Sequence, residues 1–377
     1  MKLTIISDIH FGKSRDDKTL FYAGLPEKPI NQNPLSSILS LISEEEKIES
    51  EVLICLGDLC NRAYNDGIII AWDSIEKIHK ELGTSLRIGI PGNHDIDSRK
   101  IHGIDPFNFI KNFSNDFPTN DQTLNSLFWD EGFCLLESDS YEILMINSVK
   151  DHVDEESAKY SILETETLEN IDSYLKKKSK DRIKICVLHH HPIKHSNIEN
   201  WKDSDSMERG DQLISILNGY NFDVMIHGHK HQPRVVDING LTILASGSFS
   251  SIENIEFTTF KTMFHLIDIE KKGKGRISSW EFNINNGWKQ NLNNTFPPEI
   301  GFGEASNPNE LAEKINELFK KNNERPLLYA DVLAQIPNLD YMIPERLIRL
   351  GSILNSKYNL FPQPEFPLTP QLITLKR

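Results

Sequence analysis

Histidine and acidic residues recur in five short segments within the first 231 residues of the chain. Two of these segments alternate donor, spacer and donor, and in an extended chain residues i and i+2 project from one face, so each pair can grip one metal ion. Nearly every segment follows a short apolar run typical of a strand, so we expect the donors to meet at strand ends. The segments are Asp8-Ile9-His10, Gly57-Asp58, Gly92-Asn93-His94-Asp95, His189-His190-His191-Pro192 and Gly228-His229-Lys230-His231.

Seven side chains in these segments offer nitrogen or oxygen atoms that bind metal ions. We predict two metal positions that share one bridging carboxylate, from Asp58. Imidazole and carboxylate ligands suit Mn, Fe, Zn or similar divalent ions, and the ligand types do not choose among them. The first position takes Asp8, His10, Asp58 and His231, and the second takes Asp58, Asn93, His190 and His229.

The charge of this predicted centre favours a phosphate-type substrate. Two divalent ions bring four positive charges, while Asp8 and Asp58 are the only anionic ligands. Positive charge therefore remains even after a bridging hydroxide binds, and neutral Asn93 preserves it. Such a centre can hold the attacking and leaving oxygens of a phosphoryl group and lower the pKa of bound water.

The ordered series D-x-H, G-D, G-N-H-D, H-H-P and G-H-x-H resembles the calcineurin-like metallophosphoesterase superfamily, over roughly residues 1–285. The resemblance implies a mixed α/β fold, a four-layer αββα sandwich around a dinuclear centre, with the ligand division given above. It also implies in-line attack of a metal-bridging hydroxide on a phosphate ester. His94 would then be the catalytic histidine on the substrate side, and Asp95 the acid that orients it. Help from such a general acid is typically worth about 10²–10⁴-fold in rate.

Details of the motifs point to two branches of that superfamily. The segments His190-His191-Pro192 and Gly228–Gln232 are most similar to class III cyclic-nucleotide phosphodiesterases and glycerophosphodiesterases. By contrast, Ser7–Gly12 and Gly57-Asp58-Leu59 also resemble repair nucleases. We therefore predict a phosphodiesterase acting on a phosphate ester, which includes nucleotides. The alternatives are a Mn-dependent DNA or RNA nuclease that works with a partner, and, ranked lower, a docking scaffold without activity.

The run of three histidines departs from the family pattern and leaves one ligand ambiguous. Counting back from Pro192 favours His190 as the ligand, with His189 as the second choice.

The apolar runs alternate between strand-like and helix-like patterns, which predicts a layered α/β core. We expect a catalytic domain over residues 1–285, a linker rich in Asn, Gly and Pro over 286–308, and a helical, Pro-rich extension over 309–377. An aromatic-rich insertion at about residues 96–140 either caps the site or packs a small core of its own, and the second reading is favoured for most of its aromatics.

The composition of the chain indicates which classes of partner it binds. The 377 residues include 55 acidic and 41 basic ones, for a formal net charge of −14. Such a surface repels polyanions, so nucleic acid is not the favoured substrate. No apolar stretch approaches the length of a membrane span, and the four cysteines lack disulfide or zinc-ribbon spacing, so we expect a cytoplasmic protein with no membrane contact. The extension beyond residue 300 is a candidate surface for an oligomer or another partner.

Overall fold

The computed structural model describes residues 1–24, 29–44, 48–177, 182–194, 206–252, 262–270, 273–290 and 296–375. The sequence pattern predicts helices over residues 35–49 and 164–178, of which residues 45–47 and 178 lie outside this part. The strands are β1 (Lys2–Ile6), β2 (Val52–Cys55), β3 (Leu86–Gly89), β4 (Phe133–Glu137), β5 (Tyr141–Ile146), β6 (Ile183–Val187), β7 (Val224–His227), β8 (Arg234–Ile238), β9 (Leu241–Ala245), β10 (Met263–Ile269), β11 (Gly275–Asn283), β12 (Gly287–Lys289), β13 (Glu299–Phe302), β14 (Leu327–Leu328), β15 (Leu360–Gln363) and β16 (Leu372–Leu375). The α-helices are α1 (Pro34–Glu44), α2 (Asn65–Leu82), α3 (Asn108–Asn112), α4 (Gln122–Glu131), α5 (Thr165–Leu175), α6 (Gly210–Gly219), α7 (Pro308–Lys321), α8 (Tyr329–Gln335) and α9 (Pro344–Tyr358).

Two mixed sheets form the catalytic unit. The first has the order β12-β11-β10-β1-β2-β3, with β13 also paired to β11, and the second has the order β4-β5-β6-β7-β9-β8. In the first sheet β1, β2 and β3 are parallel, and in the second β5, β6, β7 and β9 are parallel. The carboxyl ends of parallel strands lie at one edge of a sheet, where α/β proteins place their sites.

The alternation of side chains along each central strand builds three apolar layers. In β1, Leu3 and Ile5 face the second sheet, while Ile6 faces the helices on the outside. Helices α1 and α2 cover the first sheet and α5 and α6 cover the second. Because these strands are buried on both faces, apolar residues predominate on both of their faces. The layers are therefore helix, sheet, sheet and helix, which confirms the predicted αββα sandwich.

The predicted linker at residues 286–308 needs correction. Within it, Gly287–Lys289 and Glu299–Phe302 pair antiparallel with β11 and extend the first sheet, while residues 291–295 lie outside the described part. Pairing with β11 supplies the hydrogen bonds that such short edge strands cannot provide alone.

The extension has an apolar core of its own, formed by α7, α8, α9 and a small sheet of order β14-β16-β15. The order helix, strand, helix, helix, strand, strand, with the last strand in the middle of the sheet, is that of a winged helix. The extension packs on the catalytic unit through Ile343, which joins the core between the sheets, and through an ion pair of Arg346 with Asp237 at 3.4 Å.

None of the helices in the described ranges has the length and apolar composition of a membrane span.

Candidate metal centre

Four predicted ligands of the first metal position lie together at the carboxyl ends of β1, β2 and β7. The Nε2 atoms of His10 and His231 are 2.9 Å apart, and the His10 Nε2 atom is 3.4 Å from Asp58 Oδ2. The His231 Nε2 atom is 3.3 Å from Asp8 Oδ1. All four side chains are buried, and their donor atoms lie within 4.8 Å of one another.

A second group of donors adjoins the first and shares Asp58 with it. The His189 Nε2 atom is 3.4 Å from Asp58 Oδ2 and 3.1 Å from Asn93 Oδ1. The Asn93 Oδ1 atom is also 3.0 Å from His229 Nδ1. Because Asp58 Oδ2 faces both groups, this carboxylate stands where a bridging ligand would.

The second group contains His189 where the sequence prediction preferred His190. The Nδ1 atom of His190 lies 3.0 Å from the Ser148 hydroxyl, and His190 is in neither group of clustered donors. The His189 Nδ1 atom lies 2.7 Å from the Leu56 carbonyl oxygen, which accepts its hydrogen and leaves Nε2 for a metal. Consecutive residues after β6 point in different directions, so the prediction of His190 is corrected to His189.

The donor-spacer-donor argument assumed that these donors lie in extended backbone. In the structure they do not. Histidine and aspartate tolerate left-handed backbone better than most residues, although each such residue costs about 1–3 kcal/mol. His231 lies in the first group of donors and His229 in the second, as in the predicted ligand division. Residues with positive φ are Asp8 (52°), His10 (46°), Asp58 (49°), His229 (74°) and His231 (55°).

Hydrogen bonds between loops hold this backbone in place. The Asp8 N–H donates to the Gly57 carbonyl oxygen (3.0 Å), and the His10 N–H donates to the Asp58 carbonyl oxygen (2.8 Å). The Ser248 hydroxyl donates to the Asp8 carbonyl oxygen (2.6 Å). The donors are therefore positioned by their own loops.

The electrostatics of the centre suit metal binding. Burial lowers the pKa of His10 to about 3, so its ring is neutral and can donate a lone pair. Burial raises the pKa of Asp58, but the neighbouring His189 and His94 outweigh it and hold the pKa well below its ordinary range. The neutral His10 imidazole beside the ionised Asp58 carboxylate is a donor set that suits a divalent ion at the first position.

Comparison with known proteins identifies the family. The sequence model of the calcineurin-like phosphoesterase family matches residues 1–233. This chain belongs to the calcineurin-like phosphoesterase family. The family and the converging donors together support a phosphohydrolase with two divalent metal ions, as predicted.

Solved structures that are similar to this chain have low sequence identity to it. Purple acid phosphatase PPD1 from yellow lupin (Lupinus luteus) is 15% identical with a TM-score of 0.49, and the match covers 75% of this chain and 52% of that one. This chain thus spans about half the length of the lupin phosphatase. A dimetal phosphatase from Danio rerio is 11% identical with a TM-score of 0.48, covering 76% and 99% of the two chains. A Vps29 complexed with zinc from Entamoeba histolytica is 11% identical with a TM-score of 0.36, covering 77% and 96%. Among curated proteins, none matches this chain significantly.

His94, which the family resemblance places on the substrate side, contacts a residue that the sequence analysis missed. The His94 Nδ1 atom lies 3.1 Å from Asn61 Oδ1, and the His94 N–H donates to Asp58 Oδ1 at 2.8 Å. The ring packs edge-on against His10, with centroids 4.8 Å apart. Asn61 follows Asp58 by three residues in the same loop, and this proximity to the Gly57-Asp58 motif was the available signal.

Asp95 does not orient His94, contrary to the expectation from the family. Its carboxylate accepts hydrogen bonds from the backbone N–H groups of Gly92 (2.9 Å) and Cys60 (3.1 Å). Burial and the nearby charge of Asp58 raise the pKa of Asp95 to about 7. Asp95 therefore joins the two loops that carry Asp58 and His94, and its role is to position them.

The absence of a side chain at Gly92 lets these two loops meet. A Cβ atom there would lie 2.2 Å from Asp58 Oδ1 and 2.4 Å from the Asp58 backbone nitrogen. Both contacts are shorter than atoms tolerate, and backbone cannot move aside cheaply. Glycine at this position is thus required by the close approach.

The aromatic insertion does not stack over the centre. Phe107 and Phe117 pack in the core beneath α2, and Phe128 packs between the sheets. The beginning of the insertion instead lines a cavity of about 270 Å³ that opens beside Asn93 and His94. The prediction that most of these aromatics pack a core agrees with this placement, although they join the main cores.

Proposed function

We propose that this phosphoesterase hydrolyses phosphodiesters. The observation that carries the proposal is the cavity of about 270 Å³ beside His94, which can receive a substituent of the phosphate next to the metal centre. The similarity of His190-His191-Pro192 and Gly228–Gln232 to phosphodiesterase branches supports it. A phosphate monoester carries one substituent and a diester carries two. A cavity beside His94 that receives a substituent therefore favours a diester over a monoester.

The residues of the chain divide the work. Asp8, His10, Asp58 and His231 would hold one ion, and Asp58, Asn93, His189 and His229 the other. Two bound divalent ions would lower the pKa of coordinated water and attract the anionic phosphoryl group. His94 would protonate the leaving oxygen, with Asn61 fixing the plane of its ring.

The extension, residues 309–377, does not support the nuclease alternative, because its helix that would enter DNA contacts the catalytic unit. In helix-turn-helix proteins, the amino end of the second helix enters the major groove of DNA. Here the corresponding helix, α9, begins at Pro344 against the catalytic unit, where Arg346 pairs with Asp237 and Asp340 pairs with Arg276. Its first turn is thus occupied. The role of the extension in binding another copy or a partner stays a prediction.

A substrate panel tests the proposal. Protein reconstituted with Mn²⁺, Zn²⁺ or Fe²⁺ is given bis(4-nitrophenyl) phosphate, 4-nitrophenyl phosphate, a cyclic nucleotide and single-stranded DNA, with and without chelator. We expect the highest kcat/KM on a small diester and no turnover by the Asp58→Ala variant. A preference for the monoester or for DNA would refute the diesterase proposal, and chelator-resistant turnover would refute the metal centre.

A further inference from the structure

The cavity beside His94 is built from three loops that follow β2, β3 and β5. It adjoins the metal centre directly, because Asn93 and His94 form part of its wall. A group bound there would be joined to the phosphate held by the metals. Its lining consists of Arg62, Ala63, Asn93, His94, Ile96, Asp97, Ser98, Arg99, Ile101, Glu155 and Ala158.

Two arginines bring cationic charge to this cavity in a chain whose net charge is −14. The Arg99 Nε atom lies 3.4 Å from Glu155 Oε1, and both side chains are more than half exposed, at 54% and 69%. This single contact leaves the two terminal nitrogens of Arg99 available. Arg62 makes neither a hydrogen bond nor an ion pair within the described part of the chain, and its backbone is left-handed (φ 54°).

The two acidic residues that line the cavity, Asp97 and Glu155, differ in how far they neutralise the arginines. Asp97 is buried, and its two carboxylate oxygens accept the backbone N–H groups of Ile101 (2.9 Å) and His102 (2.6 Å). Asp97 is therefore committed to the shape of its own loop. Glu155 remains as the one exposed acid of the lining, on the loop opposite Arg99.

Recognition by stacking is not built into this wall. Among the residues that line the cavity, none is Phe, Tyr or Trp. The large aromatics of the adjacent insertion that point inward, such as Phe117, are buried in the core. What the cavity offers a substituent is charge, from guanidinium groups suited to phosphate and carboxylate.

We propose that Arg99, with Arg62 beside it, forms an anion subsite that selects phosphate esters carrying a second anionic group on a substituent. This inference rests on the proposed phosphodiesterase function and names its substrate class. Glu155 occupies Arg99 in the absence of substrate, and the second anion displaces it. Removing Glu155 should then strengthen binding, whereas removing Arg99 should weaken it.

Matched ligands test the subsite by binding alone. Thymidine 5′-phosphate and thymidine 3′,5′-bisphosphate differ by one phosphate, and their affinities for the metal-reconstituted full chain are measured by calorimetry. We expect the bisphosphate to bind about tenfold more tightly, an advantage that Arg99→Ala reduces to about twofold or less and Glu155→Gln enlarges. The matched control is Lys100→Ala, which removes the same charge from an exposed residue next to the cavity and should preserve the advantage.

Equal affinities for the two ligands in the wild-type protein would overturn the proposal, as would an unchanged advantage in Arg99→Ala. A Glu155→Gln variant that binds the bisphosphate less tightly would equally contradict it.

Turnover separates this inference from the proposed function. The 4-nitrophenyl esters of the same two nucleotides release the same chromophore, so the ratio of their kcat/KM values reports the second phosphate. We expect a ratio of about ten in the wild type and a smaller one in Arg99→Ala. Hydrolysis of both esters with a ratio of one would refute the subsite while leaving the diesterase standing. Failure to hydrolyse either, with the bisphosphate still bound tightly, would refute the diesterase and not the anion subsite.

Discussion

Replacing Asn61 with alanine should slow catalysis without removing the metals. Asn61 Oδ1 is the described partner of His94 Nδ1, at 3.1 Å, and Asn61 itself is held by its backbone N–H, which donates to the Phe11 carbonyl oxygen at 3.1 Å. The side chain of Asn61 bonds His94 and, through its amide nitrogen, the Asp17 carbonyl oxygen (3.4 Å), and neither of these is a predicted metal ligand. The substitution therefore frees the His94 ring and leaves the centre assembled.

The size of the effect follows from the hydrogen bond that is lost. A hydrogen bond to a charged group is worth about 1.5–3 kcal/mol, and His94 carries a positive charge when it is ready to donate its proton. If that energy is available in the transition state, kcat falls by about 10–150-fold. A bond that matters equally before and during the reaction would change kcat very little.

The assay compares two leaving groups. An unsubstituted phenyl ester needs protonation of its leaving oxygen more than a 4-nitrophenyl ester does, so Asn61→Ala should slow the phenyl ester several-fold more. Asn61→Asp keeps an acceptor in place and should restore much of the rate. Metal content by elemental analysis should match the wild type in both variants.

Equal slowing of the two esters would refute the reasoning, since Asn61 would then act by some route other than the acid. Loss of metal from Asn61→Ala would also refute it, because the residue would be supporting the centre itself.

Three further predictions concern the site and its surroundings. His189→Ala should lose about one equivalent of metal, whereas His190→Ala should keep both, and the reverse result by elemental analysis would reinstate the original prediction. Gly92→Ala should lose metal because its Cβ would collide with Asp58, while Gly103→Ala, where a Cβ meets nothing within 4 Å, should not; metal loss from both would show a general sensitivity of the fold. Burial lowers the pKa of His265 to about 3, so on acidification the unfolded state takes up a proton at this residue before the folded state does. The free energy of unfolding should therefore fall by about 2 kcal/mol between pH 7 and pH 5. His265→Gln should remove this fall, as measured by denaturant titrations at pH 7 and pH 5. An equal loss in that variant would show that other groups carry the acid sensitivity.

Much of the site could be predicted from the sequence because of where its donors stand. Asp8 and Asp58 come shortly after largely apolar runs, and such runs are typical of strands buried on both faces. Parallel neighbours end at one edge, so their following residues must meet there. The choice between His189 and His190 could not be made this way, since it depends on which way the chain turns after β6.

The positioning residues were hidden for a related reason. Asp95 follows His94 in sequence, and the family resemblance implied that it orients that ring. The two side chains nevertheless diverge, because the loop turns at Asn93–Asp95 and aims the carboxylate at the backbone of Cys60. Contacts of this kind between loops have no periodic signature in the sequence.

The segment after β11 was predicted wrongly because its local composition does not reflect its structure. Its content of Asn, Gly and Pro is typical of a loop, and local propensity alone supports a linker. Residues 287–289 and 299–302 become strands only because β11 presents unpaired backbone groups to them. Tertiary pairing overrides local preference at such an edge.

The left-handed backbone of the donors bears on how the centre forms. Five strained residues, at about 1–3 kcal/mol each, would not persist unless the surrounding structure imposed them. The bonds from Asp8 to Gly57 and from His10 to Asp58 join two loops, and Asp95 joins the second of these to a third. The cost is thus offset by hydrogen bonds that protein groups make to one another. It follows that metal binding should change the fold little, so hydrogen exchange at residues 8–10 and 58–61 should be nearly the same before and after chelation. Broad deprotection of these loops in the chelated protein would instead show that the ions, and not the loops, hold the strained backbone.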